Sequence, residues 1–156
     1  MMDLFYECFE FTSRRKRVHF HSFMLDVHRR IHVWRTNERR EGEHDPIPPL
    51  ADVLSRQFWL LCFDEFQVTD VADAMILKRL FAALSQRGVV FFATSNRVPS
   101  ELYKGGLNRP LFEPFIHEIQ HNWIVHDIDS HVDYRFQGTF IPSVFLYPLG
   151  SLFSSQ

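Results

Sequence analysis

Apolar and polar positions along this chain switch repeatedly between a period of two and a period near 3.6. Val18-His19-Phe20-His21-Ser22-Phe23 alternates toward aromatic and β-branched residues and predicts a strand, and residues 24–39 carry Leu25, His28, Ile31 and His32 at helical spacing. Residues 41–49 are charged and proline-rich, as a surface connection would be, and residues 50–57 read as a short amphipathic helix. Leu60-Leu61-Cys62-Phe63 is then a continuous apolar run, the pattern of a strand buried on both faces, and it ends in Asp64-Glu65. Thr69 or Asp70 caps a helix over residues 71–86, with Ala74, Leu77, Leu80, Phe81 and Leu84 on its buried face and Gly88 after its end. Val89-Val90-Phe91-Phe92-Ala93-Thr94 is a second apolar strand ending at Ser95-Asn96. A helix opened by Pro99 runs through Leu102 and Tyr103 to Gly105-Gly106, and another covers about residues 111–120. Trp123-Ile124-Val125-His126-Asp127-Ile128 is predicted as a third apolar strand. Strands separated by helices of this length imply an α/β fold, a parallel sheet flanked by helices on both faces.

A length of 156 residues suits one domain with a substantial core. The formal net charge of −2 supplies no global field for nucleic acid, which is not an expected partner. Arg14-Arg15-Lys16-Arg17 and Arg39-Arg40 are local basic clusters that could touch phosphates, and a solvated turn is the better reading of both. Cys8 and Cys62 are too few for a disulfide framework, and Cys62 sits inside an apolar strand, so a reducing compartment is expected. No apolar run reaches the ~18 to 20 residues of a membrane span, and Met1-Met2-Asp3 opens neither a signal peptide nor an Arg-rich transit peptide. The 9 histidines raise a metal reading. His19 and His21 alternate on a strand face and His28 and His32 lie one helical turn apart, but a third ligand is not evident, which favours ordinary core or surface histidines.

The chemistry concentrates at the strand ends. In open α/β sheets ligands collect outside the carboxyl ends of the strands, and an apolar strand ending in Asp-Glu is the Walker B pattern of P-loop ATPases. On that pattern Asp64 holds Mg²⁺ and Glu65 activates water; the plain alternative is a strand that ends in two solvated acids. Asn96 occupies the end of the next strand, the sensor 1 position of AAA+ ATPases, where a polar group orients the attacking water. Alone it would read as a turn or cap residue; the order and spacing favour the functional role.

Four stretches make the resemblance specific: Leu61-Cys62-Phe63-Asp64-Glu65-Phe66-Gln67-Val68-Thr69-Asp70, Ala72-Asp73-Ala74-Met75-Ile76-Leu77, Ala93-Thr94-Ser95-Asn96-Arg97, and Glu101-Leu102-Tyr103-Lys104-Gly105-Gly106-Leu107-Asn108-Arg109. With Met2-Asp3-Leu4-Phe5-Tyr6, Arg17-Val18-His19-Phe20-His21-Ser22-Phe23-Met24-Leu25-Asp26-Val27-His28 and Val132-Asp133-Tyr134-Arg135, they resemble the ZapE and AFG-one-like (lactation elevated protein) family of AAA+ ATPases. The resemblance implies a partial P-loop NTPase core over residues 1–135 and sets residues 136–156 apart as a divergent tail. It implies ATP and Mg²⁺ as cofactors, with Asp64 binding the metal through water and the nucleotide, Glu65 as base, Asn96 orienting water, and Arg109 as an arginine finger offered across a homo-oligomeric ring. Arg97 is the reserve for that last role. It further implies protein substrates, with mitochondrial protein quality control and a peripheral association with the inner membrane in eukaryotes, or cytoplasmic remodelling of division proteins in bacteria.

No G-x-x-x-x-G-K-[ST] occurs in the sequence. In the family that loop directly precedes the counterpart of Met2-Asp3-Leu4-Phe5-Tyr6, so the expectation is a chain truncated ahead of Met1, lacking the P-loop strand and loop and inactive by itself. The alternative function is then a non-catalytic fragment or isoform that binds or regulates the full-length ATPase.

Overall fold

The computed structural model describes residues 2–10, 12–38 and 44–128. The chain divides into two units, Met1–Val125 and His126–Gln156, and the first carries all of the secondary structure below. Helix α1 spans Met2–Glu7, strand β1 Arg15–His19, helix α2 Phe20–Val33 with a π-helical turn at Trp34–Glu38, and helix α3 Ile47–Gln57. Strand β2 is Leu60–Asp64, helix α4 Val71–Ser85, strand β3 Val90–Ala93, a 3₁₀ turn Pro99–Glu101, and helix α5 Arg109–Asn122. The strands form a 3-stranded sheet in the order β1-β2-β3, parallel throughout, with His19 opposite Asp64 and Phe63 opposite Ala93.

Alternation along β2 explains the layering. Leu61 and Phe63 pack into the larger core with α2, α3, α4 and α5, whereas Leu60 and Cys62 pack with Met2, Phe5, Tyr6, Phe9 and Phe92 beneath α1. Because successive side chains of a strand take opposite faces, an unbroken apolar run lets one strand serve both layers. Phe63 is the hub of the larger layer, in edge contact with Phe23 (centroids 4.9 Å apart) and stacked on Phe81 (5.6 Å).

Helix α4 buries Ala74, Leu77, Leu80, Phe81 and Leu84, the stripe its period predicts, and Asp70 caps it by accepting from the Ala72 and Asp73 amides. Elsewhere the boundaries move. β1 begins at Arg15 and ends at His19, and the predicted strand residues Phe20 and Phe23 open α2 instead. Phe20, Phe23, Met24, Val27 and Ile31 form its buried stripe, which rotates Leu25 out to 58 % exposure. Helical burial of that stripe outweighs the short alternation at residues 18–23, which could bury only one face of a strand. Helix α3 starts at Ile47 because proline is at home in a first helical turn, and the Asp45 carboxylate accepts from the Ile47 amide at 3.1 Å. The helix predicted after Pro99 shrinks to a 3₁₀ turn, since Tyr103 takes a left-handed φ of 55°.

The third apolar strand does not form. Among the described residues Trp123–Ile128 pairs with no strand, and Ile124 is 87 % exposed. Trp123 lies flat on Phe91, centroids 5.6 Å apart and planes 4° from parallel, so the chain leaves α5 over the face of β3 rather than along its edge. A run of apolar residues becomes a strand only where a ladder partner is in reach. Val132-Asp133-Tyr134-Arg135, Arg39-Arg40 and the tail at 136–156 lie outside the described residues.

Candidate active site

β2 and β3 end side by side, and their continuation builds the site. Beyond Asp64 the chain turns at Glu65, which adopts a left-handed φ of 55° that a non-glycine residue accepts at a cost of about 1–3 kcal/mol. The ladder resumes past this turn: the Phe66 amide donates to the Thr94 carbonyl at 2.7 Å, and the Thr94 amide to the Phe63 carbonyl at 3.0 Å. The Ser95 hydroxyl donates to the Phe66 carbonyl at 2.8 Å and accepts from the Arg97 amide at 3.1 Å. These bonds close a shallow cleft of about 210 Å³ lined by Glu65, Phe66, Gln67, Ser95, Asn96 and Arg97. Glu65 and Asn96 therefore share one small space, solvent-exposed and one residue past the metal-binding candidate.

Asp64 belongs to a different neighbourhood. Its carboxylate takes two bonds from one guanidinium, Arg17 Nε to Oδ2 at 2.7 Å and Nη2 to Oδ1 at 3.4 Å, while Arg17 Nη1 bonds the Asp3 carboxylate in the first turn of α1. The Asp64 side chain is 16 % exposed, that of Asp3 70 %. The two carboxylates push the Arg17 pKa upward, Asp64 more than Asp3, and Arg17 holds the Asp3 carboxyl below its usual range. Among the described residues no group of three or more His, Cys, Asp or Glu converges. A lone, nearly buried carboxylate at a strand end nevertheless suits Mg²⁺, a cation that keeps several waters and draws its remaining oxygens from phosphates. The attraction of Asp64 for a cation is visible in its grip on Arg17.

Arg109 stands apart from the cleft. Its Nη2 donates to the Ser100 carbonyl at 2.7 Å and its Nη1 to the Leu102 carbonyl at 3.0 Å, which ties the start of α5 to the 3₁₀ turn. The turn before it is held by the Tyr103 hydroxyl, which donates to the Leu107 carbonyl at 2.7 Å. Gly106 is required there, since a Cβ would come within 2.3 Å of the Tyr103 ring. The structure thus brings Glu65 and Asn96 together with the reserve cation Arg97, joins Asp64 to them through one peptide bond, and leaves Arg109 bound to backbone.

Arg17 and Asp3 are the participants that sequence reading missed. The basic cluster at 14–17 is not a solvated turn: Arg15, Lys16 and Arg17 lie in β1, Arg15 covers the Tyr6 ring at 4.2 Å, and Arg14 donates to the Ser55 carbonyl at 2.7 Å. The available signal was spacing, because Arg15 and Arg17 fall on one strand face and Lys16 and Val18 on the other. Of the paired histidines, His21 lies on α2 rather than beside His19 on a strand, and His28 Nε2 is 2.6 Å from Asp73 Oδ1.

The sequence model of the AFG1-like ATPases matches residues 1–156. The chain belongs to the AFG1-like ATPase family. That match includes residues 136–156. Lactation elevated protein 1 homolog B of Danio rerio is 51 % identical over 86 % of this chain and 28 % of its own length. An uncharacterized protein of Schizosaccharomyces pombe is 45 % identical over 97 % of the chain and 33 % of its own length. The cell division protein ZapE of Escherichia coli K12 is 41 % identical over 96 % of the chain and 38 % of its own length. The chain therefore spans 28 to 38 % of the length of these relatives. No solved structure matches it. The family is one of ATPases, which makes ATP the expected nucleotide, and the observed three-stranded parallel sheet flanked by helices is consistent with part of a P-loop NTPase fold.

Proposed function

We propose that this chain carries the metal-and-water half of an ATP-hydrolysing site, in a protein that works on other proteins as a ring of identical subunits. The observation that carries the reading is the meeting of Glu65 and Asn96 in one cleft at the carboxyl ends of β2 and β3, immediately past Asp64. Phosphoryl transfer needs positioning and charge neutralisation more than covalent help. Asp64 would hold Mg²⁺, which would supply neutralisation of phosphate charge. Glu65 takes the proton of the attacking water and Asn96 orients it. Arg109 is offered to the neighbouring subunit, for which it must release the Ser100 and Leu102 carbonyls; Arg97, already in the cleft wall, is the reserve. The name of the bacterial relative, a cell division protein, supports a role in cell division in a bacterial setting; in a eukaryotic setting the same reading is protein quality control in mitochondria, peripheral to the inner membrane. Among the described residues no helix is long and apolar enough to cross a membrane.

The test uses residues 1–156 within a protein that also carries the family's Gly-rich loop. Glu65→Gln is expected to keep ATP bound and to slow phosphate release by about 10²- to 10⁴-fold, since the amide keeps the shape and loses the base. Turnover within a few-fold of the unmodified protein would remove Glu65 from the role. Arg109→Ala in the same background should cost about a thousandfold or more. Mixing it with Glu65→Gln subunits should restore some hydrolysis if the arginine acts across an interface, and a monotonic decline through the mixing series would confine Arg109 to its own subunit.

Residues 1–156 by themselves are expected to show no saturable binding of a fluorescent ATP analogue at micromolar concentration, because the phosphate affinity of P-loop ATPases resides mainly in a G-x-x-x-x-G-K-[ST] loop that these residues do not include.

A further inference from the structure

We infer that Arg17 is a latch on the metal-binding carboxylate: its guanidinium engages both oxygens of Asp64 and must move off before a divalent cation can bind there. The inference rests on the reading of Asp64 as a metal-holding group.

Three observations carry it. First, the contact is bidentate, with Nε on Oδ2 at 2.7 Å and Nη2 reaching Oδ1 at 3.4 Å, so both oxygens of a carboxylate only 16 % exposed are engaged by one cation. A second cation cannot share them without meeting the first at short range, and like charges at such a distance repel strongly. Second, Arg17 has somewhere to go. Its Nη1 is already bonded to Asp3, whose side chain is 70 % exposed and sits in the first turn of α1, so the guanidinium can pivot toward α1 and keep one carboxylate partner. Third, the pivot point is rigid. Arg17 lies opposite Cys62 in the parallel ladder, and Cys62 is fully buried, which limits movement to the outer part of the arginine side chain. Arg17, β1, β2 and α1 thus form a two-position device: guanidinium shared between Asp64 and Asp3, or guanidinium on Asp3 alone with Asp64 open to a cation.

A static strut that merely orients Asp64 makes the opposite prediction, because removing it would weaken metal binding. Mn²⁺ serves as the probe, with free ion followed by electron paramagnetic resonance in the chain as it exists and in Arg17→Gln, Arg17→Lys and Asp64→Asn. Arg17→Gln is expected to bind Mn²⁺ about two- to fivefold more tightly, the size of removing one partly exposed ion pair. Arg17→Lys should fall between Arg17→Gln and the unmodified chain, since lysine keeps the charge and loses the fork that grips two oxygens. Circular dichroism and thermal melting establish that each variant is folded, and the ¹⁵N–¹H resonance of Arg17 Nε gives a readout that needs no variant. That resonance should shift as Mg²⁺ is added to the unmodified chain, as the bond to Asp64 is given up. Affinity in Arg17→Gln equal to or weaker than the unmodified chain, or an Nε resonance that ignores saturating Mg²⁺, overturns the latch while leaving Asp64 as the metal group. Unchanged Mn²⁺ binding in Asp64→Asn overturns the assignment of Asp64 and the latch with it.

Discussion

The two faces of β2 are built from neighbouring residues and do different work. On the face toward α2 to α5, Leu61 and Phe63 are buried among aromatic rings, and the strand's continuation leads through Glu65 into the cleft with Asn96. On the face toward α1, Leu60 and Cys62 lie in a smaller apolar cluster, and the next residue on that side, Asp64, is ionic and tied to Arg17 and Asp3. One layer is thick enough to set the stability of the domain; the other is thin, and its outer end is the ion-paired Asp64. An unbroken apolar run with two acids at its end can therefore place Asp64 and Glu65 in different surroundings without separating them in sequence.

The sharpest way to break this contrast is to remove a hub on each face. Phe63→Ala should destabilise the chain by about 3–5 kcal/mol, because it deletes a ring touching several others and leaves a cavity, whereas Cys62→Ala should cost about 1 kcal/mol, close to the loss of one buried methylene-sized group. Denaturant midpoints compared at constant m-value measure both. Equal losses would mean that the α1 layer is as cohesive as the other.

A smaller effect tests how dry the α1 layer is. Burial, helped by the nearby Asp64 carboxylate, raises the Cys62 thiol from 9.0 to about 11, so it is protonated and shielded in the native protein. Iodoacetamide at pH 8 should modify the exposed Cys8 and leave Cys62 untouched until the chain unfolds, with mass spectrometry locating the adduct. The sign for stability follows from the raised value: the contribution of the neutral thiol is complete below pH 9.0 and fades as pH rises toward about 11. Modification of native Cys62 at a rate near that of Cys8 would show that α1 opens readily.

Legibility in the sequence tracked how local each signal was. The α4 stripe and its Asp70 cap were readable because helical period and capping are decided within a few residues. Residues 60–64 were readable as a strand because burial on both faces leaves no polar position to confuse the pattern. β1 was not recognised over Arg15–Arg17, since an edge strand whose basic side chains find acidic, aromatic and carbonyl partners shows no apolar alternation. Trp123–Ile128 failed for the converse reason, having the composition of a strand without a ladder to join. The candidate site divides the same way: Asp64, Glu65 and Asn96 were named from strand ends, whereas Arg17 meets Asp64 across 47 positions that no spacing rule connects.

By itself, then, the sequence determined β2, α4 and β3 in their order, the two acids at the end of β2, the polar end of β3, and membership of a family of ATPases. These follow from periodicity and from motifs, which are properties of neighbouring residues. Only the tertiary structure decided that Glu65 turns into a cleft with Asn96, that Arg109 rests on the carbonyls of Ser100 and Leu102, and that Asp64 is held by Arg17 and through it by Asp3. The physical reason is that pairing of β1 with β2, and packing of α1 against them, brings opposite charges within bonding distance. Coulombic attraction depends on separation in space and carries no trace in the local pattern of the chain.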